Sequence, residues 1–338
     1  MPQIDSTPTT STATDPSWQR HMREAFRSVN ELCDHLGIDA GEHASLAAAD
    51  SFPLFAPRPF VSRMRHGDAA DPLLLQVLPV AAETDKVPDY SSDPLSEKEA
   101  SLRPGLLQKY DRRVLLITTG ACAIHCRYCF RRHFPYSDVP HSTENLQPSL
   151  DMIAKDESIE EVILSGGDPL AVPDQSLDSL VGCIEQIEHV QRLRFHTRLP
   201  IMIPERVDSK LIDLLETTRL QTVFVLHANH AAEIDNEVSA AITRLRKTGG
   251  PVLNQSVLLR GVNNSVDLME DLCRQLINVG VIPYYMHQLD RVDGAAHFEV
   301  PKDQGQAIIE QLRSRLPGYA VPRFVEERAG DRSKRPIS

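Results

Sequence analysis

Six cysteines in 338 residues are too few to staple a chain of this length, which excludes a disulfide scaffold. No apolar run approaches the ~20 residues needed to cross a bilayer, so a membrane span is not expected. The opening residues, Met1-Pro-Gln-Ile-Asp-Ser-Thr-Pro-Thr-Thr, have neither the basic nor the apolar region of an export signal, and residues 1–16 read as a disordered polar tail. Positive charge is also short. Against 47 Asp and Glu stand 36 Lys and Arg, a net charge of −11, which argues against a broad nucleic-acid footprint. A reducing cytoplasm is the expected compartment.

With 41% apolar and 25% charged residues, the chain has an ordinary globular composition and enough length for a sizeable core. Residues 17–37 predict an amphipathic helix, with Trp18, Met22, Phe26, Val29, Leu32, Cys33 and Leu36 at helical spacing. Short helices and loops, broken by many prolines, continue to about residue 108. Residues 17–108 therefore read as an N-terminal helical or accessory region.

From 109 to 315 the pattern alternates. Apolar, β-branched runs stand at Val114–Thr119, Glu161–Ser165, Leu193–Thr197, Thr222–His227, Val252–Leu259 and Ile282–Gln288. Helix-like stretches lie near 175–188, 208–218, 234–247, 267–279 and 303–315. Such alternation predicts a parallel sheet, and six repeats fall short of the eight that close a barrel. The expected fold is α/β, an open six-stranded (β/α)6 partial TIM barrel, followed by a C-terminal segment over 316–338. Most chemistry-bearing residues sit just after the strand-like runs, where (β/α) barrels keep their active sites.

The densest signal is Cys122, Cys126 and Cys129, spaced C-x₃-C-x₂-C. Three such thiolates can ligate three irons of a [4Fe–4S] cube and leave the fourth open, whereas an electron-transfer cube usually takes four cysteines. The spacing, with Tyr128 beside the last cysteine, resembles that of the radical S-adenosylmethionine (SAM) enzymes. Zinc is the alternative, and it would want a fourth ligand such as His125 or His133. Cys33, Cys183 and Cys273 lie in helix-like stretches and read as buried structural thiols.

Other candidates are weaker alone. Gly166-Gly167-Asp168-Pro169 is a turn that could bring backbone close to the methionyl part of SAM, with the Asp168 carboxylate meeting its ammonium. His227 and His230 form an H-x₂-H pair, too few for a metal site. Arg131 and Arg132 follow the last cysteine, where a guanidinium fork could clamp a carboxylate. Asp290, Glu327 and the near-terminal Lys334 would otherwise be ordinary solvated side chains.

Taken in order, several runs carry a more specific resemblance. They are Lys109-Tyr-Asp-Arg-Arg-Val-Leu115, Cys122–His133, Ser165-Gly-Gly-Asp-Pro-Leu170, Thr197-Arg-Leu-Pro200, Asn254-Gln-Ser-Val-Leu258, Tyr284-Tyr-Met-His-Gln-Leu-Asp290, Gly294-Ala-Ala-His-Phe298 and Ser333-Lys-Arg-Pro336. Together the chain resembles the lysine 2,3-aminomutases, nearest the bacterial branch whose β-lysine modifies translation elongation factor P. The resemblance implies a [4Fe–4S] cluster, SAM and pyridoxal phosphate (PLP) as cofactors. It also implies L-lysine as substrate, an electron donor such as flavodoxin or ferredoxin, and a downstream ligase that modifies the elongation factor. Lys334 matches the Schiff-base lysine, Arg113 a cofactor-phosphate arginine, and Arg131 the arginine for the lysine carboxylate. Asp290 and Glu327 match the acidic positions for its distal ammonium. Cofactor-binding roles are implied for Tyr110, Ser165, Gly166, Gly167 and Asp168, and likewise for Arg198, His227 and Gln255.

Two departures stand out. Glu327 replaces an Asp of the lysine-degrading members, one methylene shorter. The C-terminal cysteines of those enzymes are missing, and Ser265 stands at the matching internal cysteine, so no structural zinc is expected. Related mutases acting on ornithine or arginine, and a non-catalytic iron–sulfur protein, are the competing expectations.

Overall fold

A computed structural model describes residues 17–139 and 143–338; the predicted tail over 1–16 lies outside the described residues. Ten strands form one sheet in sequence order. They are β1 (Ser101–Arg103), β2 (Leu106–Tyr110), β3 (Arg113–Thr119), β4 (Glu161–Gly166), β5 (Arg192–Thr197), β6 (Gln221–Leu226), β7 (Val252–Val257), β8 (Ile282–His287), β9 (Arg323–Glu326) and β10 (Arg335–Pro336). From β3 to β9 every neighbouring pair is parallel. β1 and β2 join antiparallel on one edge, and β10 joins antiparallel on the other. The sheet is open, since no pairing among the described residues joins its two ends.

The six expected strands are β3 to β8. The sheet gains four more because β1, β2, β9 and β10 are two to five residues long, below the length at which an apolar pattern stands out. β1 and β2 begin before residue 109, so part of the accessory stretch is built into the sheet. The helix expected over 17–37 is two, Ser17–Arg23 and Val29–Leu36. Between them Phe26 pairs backbone with Ala56 (2.8 and 3.0 Å), and Ser28 then caps the second helix by accepting from Glu31 N. A helix at Thr143–Lys155 was not expected. Its Pro148 is a residue that ordinarily breaks helical patterns.

Each remaining crossover helix turns one apolar stripe onto the sheet. Asn236–Lys247 buries Val238, Ala241, Ile242 and Leu245, and Val266–Asn278 buries Met269, Leu272, Cys273 and Leu276. Asp208, Asp235 and Ser265 start three of these helices by accepting a backbone N–H three residues on. β4 is buried at every position, as a strand covered on both faces must be. No helix among the described residues is long and apolar enough to cross a membrane.

Candidate active site at the strand ends

The loops leaving the carboxyl ends of the parallel strands enclose a cavity of about 330 Å³. Cys122, Cys126 and Cys129 line it, and so do Arg131, Asp290, Glu327 and Lys334. Residues 200 positions apart in the chain thus share one chamber because parallel topology brings every strand's carboxyl end to the same side.

All three motif cysteines are free thiols. Burial pushes Cys122 well up and raises Cys129 to about 12, so both carry their proton until a metal displaces it. Among the described residues no three His, Cys, Asp or Glu side chains converge as ligands of a single ion. A tetrahedral zinc would hold its thiolates within about 4 Å of one another, given Zn–S bonds of ~2.3 Å; the corners of a cube hold them farther apart. Neither nearby histidine completes a zinc set. His125 Nδ1 bonds Pro53 O at 2.8 Å and its ring stacks on Phe52, while His133 Nε2 lies 3.2 Å from Asp293 O. Cys33 and Cys273 are buried in helices as expected, whereas Cys183 is only half-buried.

The cysteine loop is clamped from outside. Arg127, with a fully buried side chain, donates to both oxygens of Glu83 (2.8 and 2.6 Å) and to Phe52 O (2.6 Å). Arg127 N donates to Gln76 O, and His125 N to Phe55 O, both at 2.9 Å. Arg132 pairs with the same Glu83 at 2.9 Å, so it holds the loop rather than a substrate carboxylate.

Gly166, Gly167 and Asp168 also line the cavity. A Cβ on Gly167 would lie 2.2 Å from Ala121 O, and one on Gly166 would lie 2.4 Å from Thr119 O. The glycines therefore let β4 seat against the cysteine loop. Asp168 accepts from Thr197 Oγ1 (2.7 Å), Arg198 N (2.7 Å), Leu199 N (2.9 Å) and Leu170 N (3.0 Å). Its lone pairs tie β4 to β5 and are not free for an ammonium; this corrects the expectation from the turn.

A chain of alternating charges crosses the cavity wall. Arg131 gives Nε and Nη2 to Glu97 (2.7 and 2.8 Å), and Nη1 to Ser165 Oγ (2.9 Å). Its fork is thus engaged by a protein carboxylate, and an incoming carboxylate must share it or use Nη1. Lys109 Nζ bridges Glu97 Oε1 (3.0 Å) and Glu327 Oε1 (2.8 Å), and Lys334 Nζ takes Glu327 Oε2 (2.7 Å). Lys334 is therefore engaged by a carboxylate rather than lodged in an apolar pocket. Burial favours a neutral Glu327, yet the two ammonium groups hold its carboxyl well below the usual range. Asp290 goes the other way. Burial and the charge of Glu327 push it up to about 7, and its carboxyl has no hydrogen-bond or ion-pair partner among the described residues.

Arg113 has no carboxylate partner among the described residues; its guanidinium lies 4.7 Å from the Tyr110 ring centroid, and both line the cavity. His227 lies with Nε2 at 2.6 Å from Gln255 Nε2. His230 sits elsewhere in role, its Nδ1 accepting from Ala232 N to cap a 3₁₀ turn. His196, His227 and His287 line the cavity with pKa values pushed down by burial, His227 to about 3. The Nε2 atoms of His196 and His287 are buried without a partner among the described residues. Arg198 reaches Cys126 Sγ at 2.7 Å.

Glu97, Lys109, Glu233 and Gln76 are the residues that sequence reading does not single out. Glu97 lies in the mixed-charge run Ser96-Glu-Lys-Glu99, and nothing local separates it from its neighbours.

Comparison with known proteins finds relatives along nearly the whole chain. Residues 116–273 match the Radical SAM superfamily model. The chain is 43% identical over 331 residues to the L-lysine 2,3-aminomutase of Escherichia coli K12, covering 97% of this chain and 96% of that one. It is 42% identical to the Haemophilus influenzae protein of the same name, over 95% of each. With the Clostridium subterminale L-lysine 2,3-aminomutase it shares 35% identity over 95% of this chain and 77% of the relative.

Proposed function

The chain belongs to the lysine 2,3-aminomutase family of radical SAM enzymes, an isomerase that converts L-α-lysine to β-lysine with a [4Fe–4S] cluster, SAM and PLP, and we propose how its own residues divide that work. Bound together, the cluster and SAM supply a carbon-centred radical, and PLP supplies a conjugated ring that delocalises the unpaired electron beside the migrating nitrogen.

The residues present fit those groups. Three free thiols share the cavity with the Arg113 guanidinium, which has no carboxylate partner among the described residues and suits a phosphate, and with the Lys334 amine, suited to the PLP aldehyde. Cys122, Cys126 and Cys129 hold the cluster. Tyr110 and Arg113 hold PLP with Lys334. Ser165, the backbone of Gly166 and Gly167, His227 and Gln255 border SAM, and Arg198 and Asp168 fix the strand ends around it.

For the substrate, Arg131 takes the α-carboxylate, and Asp290 with Glu327 takes the distal ammonium. One observation carries this assignment: Asp290, whose carboxyl has no hydrogen-bond or ion-pair partner among the described residues, shares with Glu327 the cavity that also holds Arg131. A carboxyl in that state gains most from an arriving cation, while Arg131 receives the opposite end. Unlike charges at two ends set the register of an extended diamino acid, bringing its β-carbon to the radical.

We further propose that β-lysine passes to a ligase acting on elongation factor P, and that a flavodoxin or ferredoxin in the cytoplasm supplies the electron. Support for both is the resemblance to that branch. Anaerobic incubation with L-lysine, SAM, PLP and dithionite, with chiral chromatography of the product, tests the core reading. β-lysine is expected. Turnover of ornithine or arginine with lysine untouched would overturn the substrate assignment.

A further inference from the structure

Arg198 follows β5, and its side chain is buried against the cysteine loop. Its guanidinium is fixed by four partners. Nη1 donates to Cys126 Sγ and to Tyr128 Oη, both at 2.7 Å, and Nη2 donates to Gln76 Oε1 at 2.6 Å and Glu233 Oε2 at 2.9 Å. Each partner is held in turn. Tyr128 Oη accepts from Asn229 Nδ2 at 2.6 Å, and Gln76 Nε2 donates to Glu233 Oε1 at 3.1 Å. Glu233 Oε1 also accepts from the backbone of Asn229 (2.8 Å) and His230 (3.0 Å). The network joins the N-terminal region, the cysteine loop and the ends of β5 and β6.

A buried ion pair is a poor device for stability alone, because well-packed apolar residues of similar volume often do as well or better. A charge retained at hydrogen-bond distance from a cluster thiol calls for an electrostatic reason. Donors to ligand sulfurs, and nearby positive charge, stabilise the reduced and more negative form of an iron–sulfur cluster.

We infer that Arg198 is a positioning residue that seats Cys126 and sets the cluster's reduction potential, with Glu233 as the opposing charge that trims its effect. The step it tunes is the uptake of one electron by the oxidised cluster from an external low-potential donor. No bond forms or breaks in that step. Arg198 stays protonated throughout and lowers the cost of the added negative charge.

The two charges predict opposite shifts, which a purely structural role does not. Reconstituted holoenzyme without SAM is titrated with dithionite and redox mediators, following the reduced cluster by electron paramagnetic resonance, with iron counted per chain. Arg198→Gln is expected to lower the reduced-to-oxidised ratio about tenfold at fixed solution potential, a shift of about 59 mV to the negative for a one-electron couple. Glu233→Gln is expected to move the couple the other way, and Arg198→Lys to recover part of the loss. Should Arg198→Gln fail to hold iron, the sign of the Glu233→Gln shift decides. Unchanged potentials, or a negative shift in Glu233→Gln, would overturn the inference and leave the proposed substrate roles intact.

Discussion

Lys334 Nζ sits 2.7 Å from Glu327 Oε2, so the amine proposed to take the cofactor aldehyde rests on the carboxylate proposed for the substrate's ammonium. Lys109 occupies the other oxygen at 2.8 Å. In cofactor-free protein both oxygens of Glu327 are therefore in use, and a diamino acid meets competition for its distal seat.

That competition has a measurable result. Cofactor-free Lys334→Met protein is expected to bind L-lysine about tenfold more tightly than cofactor-free wild type, roughly 1.4 kcal/mol, by calorimetry. The same variant loses the PLP absorbance band while keeping its iron. Equal lysine affinities in the two proteins would show that Lys334 does not compete for Glu327.

Asp290 gives a pH dependence of definite sign. Its carboxyl is raised to about 7 in the folded protein, so the folded state holds an extra proton between the ordinary carboxylate range and that value. Stability from this group is complete at low pH and declines as pH rises through that window. Lysine binding runs oppositely, because the ammonium wants the ionised form and binding releases a proton. Lysine KM should fall from pH 6 to pH 8 in wild type. Asp290→Asn should raise KM on the order of 10–100-fold and flatten this profile, since a hydrogen-bonded charged contact contributes about 1.5–3 kcal/mol. A profile that survives in Asp290→Asn would assign the titration to another group.

What the sequence made legible follows from which signals are local. The strands β3 to β8 are six or seven residues each, and the apolar, β-branched runs within β3, β4 and β6 are readable by themselves. The cysteine spacing is equally local. By contrast β9 is four residues and β10 two; β9 exists through pairing with β8, nearly 40 residues earlier, and β10 only through pairing with β9. Arg131 was readable as a carboxylate clamp, but not that Glu97, 34 positions earlier, already fills its fork. Asp168 shows the same limit. Its turn was visible, whereas the Thr197, Arg198 and Leu199 donors arrive from a strand some 30 residues later.

Glu97 balances two cations, the buried Arg131 and the half-buried Lys109, with its own side chain only 3% exposed. Glu97→Gln keeps the shape and removes the charge, leaving both cations with less compensation. Breaking one side of a buried pair costs on the order of 3–5 kcal/mol. Lys109 retains Glu327, so a loss near 3 kcal/mol is expected from the urea midpoint. Wild-type stability in Glu97→Gln would mean that water or Ser165 already satisfies Arg131.

Gly167 offers a test of how the cysteine loop is seated, separate from the thiols themselves. A methyl group there meets Ala121 O at 2.2 Å and the carbonyl carbon of Gly120 at 2.8 Å, all backbone that cannot rotate away. Gly167→Ala must therefore push the loop carrying Cys122 off the end of β4. The Asp168 bonds to β5, and the Lys334–Glu327–Lys109 chain, do not include that loop backbone. Reconstituted Gly167→Ala is expected to hold less than half the wild-type iron per chain while still forming the PLP band. Full iron content would show that the loop tolerates displacement. Loss of PLP and iron together would show that the two halves of the cavity fold as one unit.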